Sequence, residues 1–268
     1  MAMKRKYGWV RDLPDQRDRF LPQAMEPVAL PPRFDQRPNW PEIYSQGSLG
    51  SCVGQGTAGV CHYRMMRDAG TLPGVFQPSA LFVYYNARAL DGTVPYDVGT
   101  QIRSGIKAVV RWGFCSEKTV DGVPQSNPSW SYRINKFAQK PPIGCYKSAV
   151  KEQVRSYVRV PQTLESICGL IAQDVPVVFG FSVYDSFESR EVSETGWMPI
   201  PRSVERVRGG HCVVGVGYDS DIVYNNRRGY LICRNSWGSW GDKGHFYMPY
   251  DFLLSANCSD FWAVLNVP

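Results

Sequence analysis

Gln46-Gly-Ser-Leu-Gly-Ser-Cys52 is the stretch from which the fold is read. A side-chain amide stands six residues ahead of a cysteine, small residues lie between, and the cysteine opens a long run that ends at Gly70. That run predicts a helix from about Ser51 to Ala69. A cysteine in its first turn has its sulfur against the positive end of the helix dipole, which favours the thiolate. A lone cysteine would say little, because free cysteine is usually just packed. Two segments far downstream change its meaning. His211 heads the apolar run His211-Cys-Val-Val-Gly-Val-Gly217, and Asn235-Ser-Trp237-Gly follows the strand-like Tyr230-Leu-Ile-Cys-Arg. Cysteine, then histidine, then asparagine is the order of a nucleophile, its base and an orienting group that meet only in the fold.

The chain has three histidines. His62 lies ten residues beyond Cys52 on the same expected helix, about 15 Å along its axis, and is no partner for the sulfur. His245 sits in the strand-like Gly244-His-Phe-Tyr-Met and reads as structural. His211 is the expected base. Asn235, which alone would read as a turn residue, is expected to accept a hydrogen bond from the ring nitrogen facing away from sulfur. Trp237 is expected to cover that bond and keep water from it.

Together, Gln46–Cys52, Gly210-His211-Cys-Val-Val-Gly-Val-Gly217-Tyr and Asn235-Ser-Trp237-Gly-Ser-Trp240-Gly resemble the papain-like cysteine peptidases. The resemblance begins at Pro32-Arg-Phe-Asp-Gln-Arg37, similar to the start of a mature enzyme of that family, and runs to Phe261-Trp262. Two departures stand out. Where the family has Cys-Gly-Ser-Cys-Trp, this chain has Leu49-Gly50-Ser51-Cys52-Val53, so one half of the disulfide that braces this loop is missing. A single residue, Ser239, separates Trp237-Gly238 from Trp240 where two are usual. Neither departure removes a catalytic group.

The resemblance implies an α+β, papain-like two-lobed fold. A mainly helical lobe, roughly 41–159, would carry the nucleophile. A β-rich lobe, roughly 160–262, would carry His211 and Asn235, with the cleft between them. It implies that Gln46 and the Cys52 backbone N–H form an oxyanion hole. Asp97-Val-Gly99-Thr100 matches the family stretch whose backbone pairs with substrate. Gly180, Gly209 and Gly210 would line the facing pocket, with Ser259 or Asp260 at its base, room for a large apolar side chain, and Trp237 beside it. The implied activity is cysteine-type endopeptidase action through a thioester acyl-enzyme. Polypeptides would be the substrates, and proteinaceous inhibitors the other expected partners. An acyl transferase or peptide ligase would use the same acyl-enzyme. A non-catalytic peptide-binding module is the reading from another class, and an intact Cys52, His211, Asn235 and Gln46 set argues against it.

Composition narrows the rest. The 268 residues, 43% hydrophobic, suit an ordinary globular protein. No apolar run approaches a membrane span, so no membrane partner is expected. The formal charge of +6 is scattered, Lys4-Arg5-Lys6 is the one basic run, and no nucleic-acid motif appears. Eight cysteines without a C-x-x-C make a zinc site unexpected, and no metal or cofactor is called for. Cys61, Cys168, Cys212 and Cys233 read as buried thiols. Cys115, Cys145 and Cys258 fall nearer loops, with their pairing open. Loss of the bracing cysteine, and a basic start with no apolar stretch behind it, lean toward a reducing, cytoplasmic compartment. A monomer is expected.

Further helices are expected at Pro78–Leu90, Thr100–Trp112 and Thr163–Gln173, and a loop-rich connection from Cys115 through Cys145. Strands are expected at Val175–Tyr184, His211–Tyr218, Tyr230–Asn235, His245–Tyr250 and Phe261–Leu265. Residues 30–268 form the peptidase domain in this reading. Residues 1–29 form an extension, far shorter than the family's helical prosegments, and Pro14, Pro22 and Pro27 make it extended. Tyr7, Trp9, Leu13, Phe20 and Leu21 are the expected anchors that let part of it cross the cleft as a gate; a loose tail is the other reading.

Overall fold

A computed structural model describes residues 6–22, 30–68, 75–118 and 128–267. Its central element is helix α1 (Cys52–Asp68), which is buried on nearly every side along its first ten residues. A helix buried all round must sit between two layers, and its glycines set the distance to each. A Cβ at Gly54 would fall 2.7 Å from the Ala80 carbonyl oxygen; one at Gly56 would meet the Cys212 sulfur and Val178 at 3.3 Å. The helix thus wedges between a second helix on one side and the sheet on the other.

That second helix is α2 (Ala80–Asp91). The Ser79 hydroxyl accepts from the Phe82 N–H, and Gly92 ends the helix in the left-handed region at φ 72°. α3 (Ile102–Trp112) packs on α1 where Gly105 faces Val53 and Thr57. It starts two residues later than expected, because Thr100–Gln101 is drawn into a short strand. α4 (Ile143–Ala149) starts at the end of the stretch expected to be loop and runs past it. Pro142 caps its start, where a proline sacrifices no internal hydrogen bond. α5 (Leu164–Ala172) is capped by the Thr163 side chain.

The strands are β1 (Trp9–Val10), β2 (Arg33–Asp35), β3 (Thr100–Gln101), β4 (Ser156–Arg159), β5 (Val177–Tyr184), β6 (Val207–Tyr224), β7 (Arg227–Arg234), β8 (His245–Pro249) and β9 (Cys258–Asn266). β1 and β3 make a small parallel pair. The other seven form one antiparallel sheet in the order β4-β9-β5-β6-β7-β8, with β2 paired to the far part of β6. β4 therefore belongs to the sheet although it falls in the stretch assigned to the helical half. β5 begins after Pro176, which has no N–H for the ladder. β6 outruns the apolar run at both ends because its exposed ends carry charged residues such as Arg208 and Asp221, which hide a strand from a hydrophobicity reading. β9 likewise starts three residues early and takes in Cys258, which is buried in the strand and not in a loop.

Three apolar clusters hold the layers. One joins α1 and α3 to the sheet through Val53, Ile106, Val214 and Trp262. A second fills the other side of the sheet around Phe179, Phe181, Leu231 and Phe246. The third lies under the nucleophile loop and gathers Leu49, Leu81, Phe82, Tyr84, Cys115, Trp130, Cys145 and Ala149. Each fully buried side chain of this size contributes about 1.5–3 kcal/mol from area removed from water. Leu49 thus holds its loop by apolar contact where a disulfide was missing. All eight cysteines are free.

Candidate active site

Gln46, Cys52, His211 and Asn235 converge where the N-terminus of α1 meets the ends of β6 and β7. His211 is fully buried on β6, and its Nε2 lies 2.8 Å from the Asn235 Oδ1. The carbonyl oxygen accepts, so Nε2 carries the proton and Nδ1 is left for chemistry. Asn235 is fixed in turn, because its Oδ1 also accepts the Ser236 N–H at 2.8 Å. The Trp237 indole stacks on the imidazole with centroids 4.5 Å apart and planes 25° apart, covering it as anticipated.

A further link was not anticipated. Gln46 Oε1 accepts from the Ser236 hydroxyl at 2.7 Å and from the Trp237 indole N–H at 3.1 Å, so one tripeptide fixes both the base and the amide. The amide nitrogen is thereby aimed, and it donates to the Leu49 carbonyl at 2.8 Å and the Lys6 carbonyl at 3.0 Å. The other two histidines stand apart. His62 accepts or donates with the Tyr44 hydroxyl, and burial pushes its pKa down to about 4. Burial does the same for His245, at the head of β8.

The Lys6 carbonyl belongs to the N-terminal segment, which lies in the cleft. Tyr7 packs edge-on against His211 and Trp237, with centroids 6.2 and 6.3 Å away. The backbone at Cys212 and at Gly8 works to lower the pKa of the Cys52 thiol, less strongly than burial raises it. Under this cover Cys52 is fully buried, and burial pushes its thiol up to about 11. Gly8 is held on both sides. Its carbonyl accepts the Thr100 N–H at 2.9 Å, and a Cβ on it would fall 1.8 Å from the Gly50 carbonyl oxygen. A Cβ on Gly99, itself at φ 79°, would fall 2.2 Å from the Gly8 oxygen. Only two facing glycines allow the backbones this close.

Trp9 enters the pocket made by Gly180 and Gly210. Cβ atoms at those positions would lie 2.0 and 2.5 Å from Trp9 atoms, and one on Gly209 would reach 2.7 Å from Tyr7. Each of Gly99, Thr100, Gly180, Gly209, Gly210 and Trp237 therefore borders this segment. The pocket base is polar: Asp260 Oδ2 accepts the Trp9 indole N–H at 3.1 Å and the Asp12 N–H at 2.7 Å.

The anchors differ in part from the expected ones. Tyr7, Trp9 and Leu21 pack against the body, but Leu13 is 70% and Phe20 59% exposed. Carboxylates take their place. Asp12 accepts from the Trp262 indole at 2.9 Å and the Arg103 N–H at 3.2 Å. Asp18 is gripped by Arg103 at 2.6 Å and Arg159 at 2.8 Å, and Arg159 reaches Asp260 at 3.2 Å. Burial, with Asp260 close by, pushes Asp12 up to about 6. Residues 1–5 and 23–29 of the extension, Pro27 among them, lie outside the described residues. Among the described residues no helix is long and apolar enough to cross a membrane.

Comparison with known proteins points one way. The model of the papain family of cysteine proteases matches residues 107–259. An uncharacterized peptidase C1-like protein of Acanthamoeba polyphaga mimivirus is 33% identical over 293 residues, which cover 99% of this chain and 88% of that protein. Xylellain, a cysteine protease from Xylella fastidiosa, matches over 100% of both chains with a TM-score of 0.84 at 33% identity. Digestive procathepsin L 3 of Tenebrio molitor shares the fold at 20% identity, over 93% of this chain and 75% of that one, with a TM-score of 0.62.

Proposed function

The chain belongs to the papain family of cysteine proteases and is a cysteine-type endopeptidase acting on polypeptides, and from that premise we propose the roles of its residues. The Cys52 sulfur attacks the scissile carbonyl. His211 takes the thiol proton and passes it to the departing amine, and water then resolves the thioester. Asn235 holds the His211 ring with Nδ1 toward the sulfur. Gln46 Nε2, with the Cys52 N–H, receives the charge that develops on the attacked oxygen. The observation that carries this reading is the Gln46 amide: locked by Ser236 and Trp237, it already donates to a main-chain carbonyl oxygen, that of Lys6.

Substrate polarity follows from the same roles. The departing amine must lie beside His211, so the C-terminal side of a substrate faces the histidine and its acyl side points away, toward Gly99, Thr100 and the Gly180–Gly210 pocket. The N-terminal segment runs from Tyr7 at His211 to Trp9 in that pocket, the reverse direction. Its main chain passes the buried Cys52 at Gly8 in that reversed direction. We infer that residues 1–29 gate the body, residues 30–268, by occupying the cleft without being cleaved. The bulk of Trp9 supports a pocket that accepts a large side chain.

Eight free cysteines accord with a reducing, cytoplasmic compartment. A monomer, open to proteinaceous inhibitors that fill the same cleft, completes the proposal. Treatment with a thiol-directed epoxide followed by mass spectrometry tests its core. Stoichiometric labelling at Cys52 is expected in the wild type, and labelling that survives Cys52→Ala rejects the assignment.

A further inference from the structure

On the roles proposed above, the loop at residues 46–51 carries one oxyanion donor at each end. Gln46 supplies its amide nitrogen, and the peptide between Ser51 and Cys52 supplies the Cys52 N–H. The spacing of the two donors therefore follows the spacing of the loop's ends. Glycines at 47 and 50 leave the backbone between them free to vary it.

Tyr132 joins those ends. Its hydroxyl donates to the Gln46 carbonyl at 2.9 Å and lies 2.5 Å from the Ser51 hydroxyl. A phenol has one proton to give, and Gln46 receives it, so Ser51 is the donor in the second bond. Gln46 and Ser51 are both fully buried, which keeps water from competing for either contact. Burial also pushes the Tyr132 pKa up to about 12, so the hydroxyl holds its proton at neutral pH.

The rest of the loop has separate supports. The Gly50 N–H donates to the two oxygens of Asp97 at 3.1 and 3.2 Å, and the Tyr84 hydroxyl donates to Asp97 at 2.6 Å. Leu49 is packed in the third apolar cluster. None of these contacts reaches from Gln46 to Ser51. Tyr132 can fix that distance because its own stretch is fixed. Trp130, two residues earlier, is buried; its N–H donates to the Ser116 carbonyl at 2.8 Å. The Trp130 carbonyl accepts the hydroxyl of Ser79, the cap of α2, at 2.6 Å.

We propose that Tyr132 is a positioning residue for peptide hydrolysis, whose hydroxyl sets the spacing of the Gln46 amide and the Cys52 N–H. The inference rests on the oxyanion role given to Gln46. Tyr132 acts through the loop and not on the substrate. Without its hydroxyl, the Gln46 carbonyl retains the Leu49 N–H at 3.2 Å, but nothing ties it to Ser51. The loss then falls on the transition state, where charge on the attacked oxygen makes donor placement count.

A double-mutant cycle in the full chain tests this, read as kcat on a small peptide substrate at saturation. A segment that competes for the cleft registers there in KM and not in kcat. Tyr132→Phe removes the hydroxyl and keeps the ring, and is expected to lower kcat about 10-fold with KM changed far less. In a Gln46→Ala chain the same substitution is expected to lose most of its effect, because the donor that it positions is gone. Ser51→Ala releases the other end of the tie; it is expected to lower kcat as well, and to be non-additive with Tyr132→Phe. This second variant keeps the test decisive if the phenylalanine chain fails to fold. Wild-type kcat in Tyr132→Phe, a loss carried by KM, or equal losses with and without Gln46 each overturn the proposal. A Gln46→Ala chain that keeps wild-type kcat overturns the oxyanion role itself, and this inference with it.

Discussion

At the scale of single residues, Gln46 and Asn235 are held by the same three-residue turn, so their loss should register in turnover more than in binding. Gln46→Ala is expected to lower kcat by about 100-fold with KM changed far less, since an oxyanion donor acts on charge present only in the transition state. Steady-state kinetics on a peptide substrate checks this, and an equal loss in KM with kcat intact would remove Gln46 from the role. Cys52→Ala should abolish cleavage while leaving the thermal transition nearly unchanged, because alanine begins a helix as well as cysteine does; residual turnover within tenfold of wild type would contradict it. Gly8 supplies a third case. A methyl group there would strike the Gly50 carbonyl, so Gly8→Ala is expected to unseat the segment and speed labelling of Cys52. An unchanged labelling rate would mean that the segment does not restrict access.

The juxtaposition of Gln46, His211, Asn235 and Trp237 was legible in sequence because each sits in a short stretch with a distinctive neighbourhood. The carboxylate anchors were not. The resemblance pointed to Asp260 at the pocket base, but its partner Asp12 lies 248 positions away, and nothing local to Asp12 sets it apart from a solvated surface residue.

Among elements, β1 is the informative one: two residues long, paired in parallel to β3, and tied down by groups outside its own ladder. Its attachment should depend on pH. With the segment docked, the Asp12 carboxyl is pushed up to about 6, while a released, solvated aspartate has its ordinary, lower value. Docking therefore binds a proton. Its contribution is fully present below the ordinary value, near 4, falls as pH rises, and is gone above about 6. Across that window the docking equilibrium should weaken by up to about 100-fold. Comparing Cys52 labelling in wild type and Asp12→Asn at matched pH cancels the titration of the site itself. The ratio of wild type to variant is expected to rise from pH 4 to pH 6 and level off. A flat ratio would mean that Asp12 plays no part.

Most helices and strands were legible from periodicity, capping residues and glycine stops. What escaped was set by partners distant in sequence: Thr100 is extended because Gly8 lies against it, and Ser156–Arg159 is a strand because β9 offers an edge.

For the molecule as a whole, α1 is the shared wall of both halves, and at Gly54 it leaves no room for a side chain. Gly54→Val would drive a side chain into Ala80 and Tyr84. Such overpacking in a rigid core costs about 1–3 kcal/mol, enough to lower Tm by several degrees. Calorimetry on the Cys52→Ala background measures it free of self-cleavage, and a Tm within one degree of the parent would count against the close packing. The reverse-threaded segment has a consequence at this scale too. A separate inhibitor lets go on dilution. A tethered one does not, because its local concentration, about millimolar for a short linkage, travels with the molecule. Occupancy of the cleft is then the same in a crowded compartment and in a single diluted copy. On the gating proposed above, a stock of such molecules accumulates without digesting itself, and dilution alone does not open it.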